Sequence, residues 1–171
     1  DRSSAASDVY KRQALARLAR NYFRSHTPAT LQDFVWWSGL SVTEAKQGIY
    51  LIGSELTEEQ WKGQTWYLHE SGRTRGSIKG HIRFLPPYDE LLLGYKDRTD
   101  VLLSEHCSKA FTGNGLFFPV ILYEGQIVGN WDRKAKRNGC DPGYSLFRQE
   151  SRIDEALLDK AQQQYMQFLG K

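Results

Sequence analysis

The stretch TPATLQDFVWWSGLSVTEAKQGIYLI, Thr27–Ile52, carries two helix starts separated by one break. Pro28 interrupts what precedes it, Thr30 stands three residues before Asp33, and Gly39 supplies a stop, which predicts a short helix between them. Ser41 and Glu44 then form an S-x-x-E capping box: the hydroxyl accepts from the N–H of residue 44 and the carboxylate reaches back. In the helix that follows, Ala45, Ile49 and Ile52 fall on the inward side and Thr43, Lys46, Gln47 and Tyr50 lie nearer solvent. Gly48 is expected to weaken that helix by about 1 kcal/mol relative to alanine. Two helices joined across Gly39-Leu40 make a tight helix-turn-helix unit.

Upstream, Leu15, Leu18, Ala19, Tyr22 and Phe23 recur at three- and four-residue spacing over Lys11–His26, an amphipathic helix with Arg17, Arg20 and Arg24 on its other side. The residues before it, 1–8, read as a loose, non-native tail: SDVYKRQ resembles translated junction sequence at the ends of environmental gene fragments, and the native protein is expected to begin earlier. Downstream, TWYLHESGRTRGSIKGHIRFL offers strand-like runs at 66–69 and 81–85 around a Gly/Ser/Arg loop, a predicted hairpin whose basic tip carries Arg73, Arg75 and Lys79. Three helices and such a hairpin, over 9–85, have the order of a winged helix, in which the third helix enters a DNA groove and the wing touches the backbone.

Residues 86–171 read as a β-rich domain with a terminal helix, so the predicted fold class is α+β. GLFFPVILYEGQIVGNWDRK places two strands around a Glu124-Gly125 turn, YSLFRQ adds another, and Ile153, Ala156, Leu157, Ala161, Tyr165 and Phe168 mark a helix ended by Gly170. Between the halves, FLPPYDELLLGYKDR, Phe84–Arg98, bends at Pro86-Pro87, where no ladder bond can be donated. Asp89 and Glu90 are adjacent, so they point apart on an extended chain and make a poor catalytic pair. Asp89 is instead expected to cap a turn and Tyr88 to pack between the domains.

Composition sets further bounds. The 171 residues are 40% hydrophobic and 25% charged, with a net charge of +3; they hold no apolar run long enough for a helical membrane span and no apolar stretch for export at the N-terminus. Cys107 and Cys140 lack metal or disulfide spacing, and His26, His69, His81 and His106 are scattered, so no metal, no cofactor and a reducing cytoplasm are expected. No GxSxG elbow accompanies any serine. The cations gather in the first helix, in the segment of Arg73, Arg75 and Lys79, and in Arg133, Lys134, Lys136 and Arg137; each cluster reads either as a solvated face or as a phosphate-binding patch.

FLPPYDELLLGYKDR, NGLFFPVILYEGQIVGNW and YFRSHTPATLQDFVWWSGLSVTEAKQGI together resemble the bacterial family of winged-helix DNA-binding-domain proteins that includes glycosylases excising alkylated or crosslinked purines. The resemblance implies tandem winged helices in a longer parent chain. It also implies a catalytic Gln-x-Gln or Gln-x-Asp motif in an N-terminal winged helix, missing here with its domains, so no catalytic residue is carried over; Gln162–Gln164 matches only the letters. It makes the stretch from Leu85 the way into a β-rich unit that helps form a DNA-binding concavity, with Lys96 and Arg98 as phosphate contacts. The expected partner is double-stranded DNA, bound by a monomer through Thr43, Lys46, Gln47, Tyr50 and the basic clusters. Two other readings stay open: a transcription-factor-like winged helix with one preferred site, and a protein-interaction module anchored by Trp36, Trp37 or Trp61.

Overall fold

The computed structural model describes residues 2–72, 76–136, 139–148 and 153–168, with side chains for all of these except 2–5, 134–136 and 139–141. The chain is mixed α and β and divides into two compact units, Asp1–Arg75 with Leu93–Lys96, and Gly76–Leu92 with Asp97–Lys171.

The first unit runs α1 (Arg2–Ser25), β1 (Ala29–Thr30), α2 (Leu31–Ser38), α3 (Val42–Leu51), a 3-10 turn (Gly53–Glu55), β2 (Leu56–Trp61) and β3 (Gln64–His69). Its antiparallel sheet has the order β1-β3-β2, with Ala29 opposite Tyr67 and Glu59 opposite Trp66. Both anticipated caps form. Thr30 Oγ1 accepts from the Asp33 N–H, and Asp33 Oδ2 accepts from the Thr30 N–H at 2.9 Å. Ser41 and Glu44 repeat the exchange, and Gly39 closes α2 at φ 69°. The inward residues of α1 and α3 meet in a core of Ala19, Tyr22, Phe23, Phe34, Ala45, Ile49 and Ile52. Gly48 belongs to this packing: a Cβ there would lie 3.2 Å from the Leu15 carbonyl oxygen and 3.3 Å from Ala19 Cβ. The glycine that weakens α3 by itself lets it settle on α1.

Two expectations are corrected in this unit. The segment 1–8 is not a loose tail through its length, since α1 is helical from Arg2; Ala5 and Ala6 favour that continuation. The hairpin is β2–β3, turning at Lys62 (φ 50°) and Gly63 (φ 73°), and not a pairing of 66–69 with 81–85. Leu56–Trp61 reads LTEEQW, poor in the residues that mark strands, so its sequence signal is weak. The run at 82–85 pairs across a long sequence gap instead, which places the division near residue 76 and not at 85.

The second unit contains β4 (Ile82–Leu85), α4 (Glu90–Leu93, shared at its last residue with the first unit), a 3-10 turn (Ser104–His106), α5 (Cys107–Ala110), β5 (Val120–Tyr123), β6 (Gln126–Lys136), β7 (Gly139–Leu146) and α6 (Glu155–Phe168). Its four antiparallel strands lie in sequence order, β4-β5-β6-β7. The β5–β6 turn falls at Glu124 (φ 48°) and Gly125 (φ 81°) as the sequence predicts. Alternation along β5 separates two cores: Ile121 joins Ile82, Trp131, Leu158 and Ala161 beneath α6, and Val120 joins Leu92, Leu102, Ala110 and Ile127. Asp89 Oδ1 accepts from the Leu91 N–H at 2.9 Å, capping the turn as expected. Tyr88, expected between domains, is half exposed with its ring 6.0 Å from that of Phe117 in its own unit. Among the described residues no helix is long and apolar enough to cross a membrane.

Candidate nucleic-acid interface

Burial of Ala45, Gly48 and Ile49 turns the opposite side of α3 outward. Thr43 and Lys46 are exposed, Tyr50 is 81% exposed and Gln47 is partly covered. These residues form one face, as their spacing predicts. Its N-terminal edge is acidic. Glu44 holds Ser41 and lies 3.0 Å from Lys11 Nζ; the Ser41 hydrogen bond first, and Lys11 after it, bring its carboxyl down to about 2. The exposed cation on this face is Lys46, further along the helix.

The basic cluster of α1 divides in the same way. Arg12, Arg17 and Arg24 are exposed, whereas Arg20 donates from Nε at 2.8 Å and Nη2 at 2.7 Å to the Glu55 carboxylate. That pairing holds the Glu55 carboxyl below its ordinary range and pins α1 to the turn before β2. Buried His69 completes the join: its N–H donates to Thr27 Oγ1 at 2.9 Å, and its Nε2 lies 3.6 Å from Glu55 Oε2.

The β2–β3 hairpin carries exposed Glu58 and Glu59 on one strand, and Trp61 with Lys62 at its tip. Lys62 Nζ stands 4.3 Å over the Trp61 ring, which packs edge-on to Trp66. Sequence reasoning named Trp61 as a protein anchor but missed Lys62 and the hairpin that joins them; Lys62-Gly63 between Trp61 and Trp66 was the available signal.

Of the other sequence-predicted residues, Arg73 and Arg75 lie outside the described residues, as does Arg137. Lys79 is exposed ahead of β4, and Arg133 is exposed on β6, which also carries Lys134 and Lys136. Lys96 is exposed, but its N–H donates to Asp33 Oδ1 at 2.8 Å. Arg98, expected as a phosphate contact, is engaged within the fold: its Nε donates to the Leu92 carbonyl and its guanidinium lies 5.2 Å from the Phe111 ring centre, which clamps the loop around α4. Gln162, within the Gln-x-Gln match, donates to the Pro142 carbonyl at 2.6 Å and ties α6 to β7. Of the histidines, His26 stacks on Tyr22 at 4.6 Å and His106 packs against Phe147 at 4.9 Å. Among the described residues no group of three or more His, Cys, Asp or Glu side chains is placed to hold a metal ion.

Over 127 residues, 70% of its length, the chain is 28% identical to an interstrand DNA cross-link repair glycosylase of Streptomyces sahachiroi, of which it covers 34%. Its fold is similar to the solved structure of the Streptomyces sahachiroi DNA glycosylase AlkZ, with a TM-score of 0.73 and 24% identity, over 88% of this chain and 41% of that one. The chain therefore spans well under half the length of these relatives. The match to the DNA glycosylase AlkZ-like family runs over residues 2–168, and the chain belongs to that family.

Proposed function

We propose that this chain is the DNA-gripping portion of a DNA-repair glycosylase-like protein, and that its first unit is a winged helix offering α3 to a groove of double-stranded DNA. The observation that carries this reading is α3 itself: capped by Ser41, seated on α1 through Gly48, and presenting Thr43, Lys46 and Tyr50 to solvent. Side chains of that reach contact base edges and phosphates when such a helix lies in the major groove. The order α1-β1-α2-α3-β2-β3 supports the winged-helix reading, since a helix-turn-helix pair is followed by a hairpin. The exposed acids of β2 confine DNA contact in the hairpin to its Trp61-Lys62 tip. Arg73, Arg75, Lys79, Lys96, Arg133, Lys134, Lys136 and Arg137 are the backbone contacts in this reading, and Arg98, bonded to the Leu92 carbonyl, serves the fold.

The relative's activity supports damaged or crosslinked duplex as the substrate of the parent protein. Excision requires the base to leave the stack, so many phosphate contacts are needed to hold distorted DNA. We assign the catalytic groups to the remainder of the parent protein, because Gln162 is engaged in packing α6. Gripping calls for neither metal nor organic cofactor, and we place the chain in the cytoplasm as a monomer.

The test is fluorescence anisotropy of the chain with a short labelled duplex over a salt series, beside Lys46→Ala and Tyr50→Ala. The expected result is salt-dependent binding, with Lys46→Ala flattening the slope of log affinity against log salt by about 1. A second reading, docking onto a protein partner, is favoured by exposed Trp36 and the acidic strand β2. It predicts no duplex binding at low salt, a result that ends the DNA reading for this chain.

A further inference from the structure

We infer that the second unit holds a separate phosphate-binding cleft between the start of β4 and helix α6, and that its occupant is a backbone phosphate of a nucleic-acid strand. The inference rests on the DNA-binding reading for the identity of that occupant. The cleft has a volume of about 260 Å³ and is lined on one side by Lys79, His81 and Arg83 and on the other by Lys160 and Gln164. Ile82 on the first side and Ala161 on the second, both buried, also line it. No carboxylate is among the described lining residues, and Glu124 stands beside one of them, Gly80.

Two elements build this arrangement. On α6, Leu157, Lys160, Ala161 and Gln164 follow the i, i+3, i+4, i+7 spacing of one helical face. Leu157 and Ala161 pack on the sheet, which brings Lys160 and Gln164 to the cleft. On the other side Gly80 takes φ 72° and donates its N–H to Glu124 Oε1 at 2.6 Å. That bond fixes the turn between Lys79 and His81 and engages a neighbouring carboxylate. Arg83 donates from Nη1 to the Ile82 carbonyl at 2.8 Å, steadying a guanidinium that has five donors in all.

Lys79 and Lys160 bring two like charges to the lining of one small space, where a bound anion offsets both. The volume lies just below the range of about 300–1,000 Å³ usual for sites that enclose a whole organic ligand. It suits a phosphate and part of its sugar, met by the point charges of Lys79 and Lys160.

The test uses the 171-residue chain with a Lys79→Ala/Lys160→Ala double variant. Both lysines are exposed, so the fold is expected to persist, and thermal melts check it. In the salt series with a labelled duplex, the double variant is expected to bind five- to tenfold more weakly at low salt and to flatten the slope by about 1. In a parallel arm, inorganic phosphate and a 5′-phosphorylated dinucleotide are titrated against the ¹⁵N-labelled chain; saturable shifts at Gly80, Arg83 and Lys160 are expected, and their loss in the double variant. If Lys46→Ala weakens duplex binding and the double variant does not, the cleft inference is overturned and the DNA reading stands. If the chain binds no duplex but the phosphate shifts saturate in the cleft, the site stands as one for free phosphate or nucleotide and the DNA reading falls. Absence of both signals overturns the cleft outright.

Discussion

Asp33 is the residue whose loss should do most damage to the first unit for the fewest atoms removed. Its side chain is buried, with the residue 3% exposed, and its carboxylate accepts from the Thr30 N–H at 2.9 Å, the Thr30 hydroxyl at 2.7 Å and the Lys96 N–H at 2.8 Å. One group thereby caps α2 and holds the segment Leu93–Lys96 against the unit it rejoins. Asp33→Ala leaves two backbone donors without their acceptor. A hydrogen bond to a charged group contributes about 1.5–3 kcal/mol and a lost cap costs about 1 kcal/mol; after recovery of the carboxylate desolvation, the expected net loss is about 3 kcal/mol. With a urea dependence of about 2 kcal/mol/M, the midpoint of the first unit should fall by about 1.5 M. Exchange of the Lys96 amide gives a local reading, and about 3 kcal/mol corresponds to about 100-fold faster opening. A midpoint shift below about 0.3 M together with unchanged Lys96 exchange would refute the assignment of Asp33 as the joint of this unit.

Other consequences are simpler to read. A Cβ on Gly129 would stand 2.5 Å from the Ser145 carbonyl oxygen, so Gly129→Ala should destabilise the second unit by about 1–3 kcal/mol, whereas Gly53→Ala, with nothing within 4 Å, should leave the melt unchanged. Equal melting temperatures for the two variants would contradict the close approach of β6 and β7. Burial first, and Asp33 second, push the Tyr95 phenol up to about 12. The folded chain thus keeps this proton between about pH 10 and 12 where the unfolded chain has released it, so stability falls as pH rises through that window. Tyr95→Phe should flatten the decline in urea midpoint; an unaltered slope would contradict it. At the acid end, the Glu44 carboxyl titrates near 2, so its contribution is complete above the unfolded value of about 4.3 and fades as pH falls toward 2. Lys11→Ala should raise the midpoint read by ¹³C carboxyl shifts, and no movement would place the cause in Ser41 alone.

The parts legible in the sequence share one property: their signals lie within a few residues of each other. The Ser41-Glu44 box, the Thr30-Asp33 cap, the Gly39 stop and the Glu124-Gly125 turn are local hydrogen-bonding or φ requirements, and each falls where the letters place it. The inward face of α3 was legible from spacing alone. What escaped was pairing at a distance. Ile82–Leu85 follows a run that looks like its partner, yet its partner is Val120–Tyr123, because the strand chosen depends on which apolar face completes a core. Leu56–Trp61 was hidden by glutamates that β3 tolerates because that side of the hairpin is open to water. The cleft residues were hidden for a related reason: Lys79 and Arg83 lie far in sequence from Lys160 and Gln164, and no local pattern joins them.

The distribution of acids then argues which cations face a ligand. Arg20 is held by Glu55, Lys11 by Glu44, and Arg98 by a backbone carbonyl and aromatic rings. Each of these has an anionic, dipolar or π partner that compensates its charge within the fold, and removing it would damage structure first. Lys46 sits on a face whose acid, Glu44, is already bonded to Ser41 and Lys11, and Lys79 and Lys160 line a cleft with no acid among its described lining residues. A salt-dependent partner should therefore be felt at these positions and not at Arg20, Lys11 or Arg98. Substitution of the second set should lower stability with little change in salt slope, and substitution of the first should do the reverse. If Arg98→Ala flattened the salt slope while leaving the melt intact, the sorting of cations by their internal partners would fail for both units.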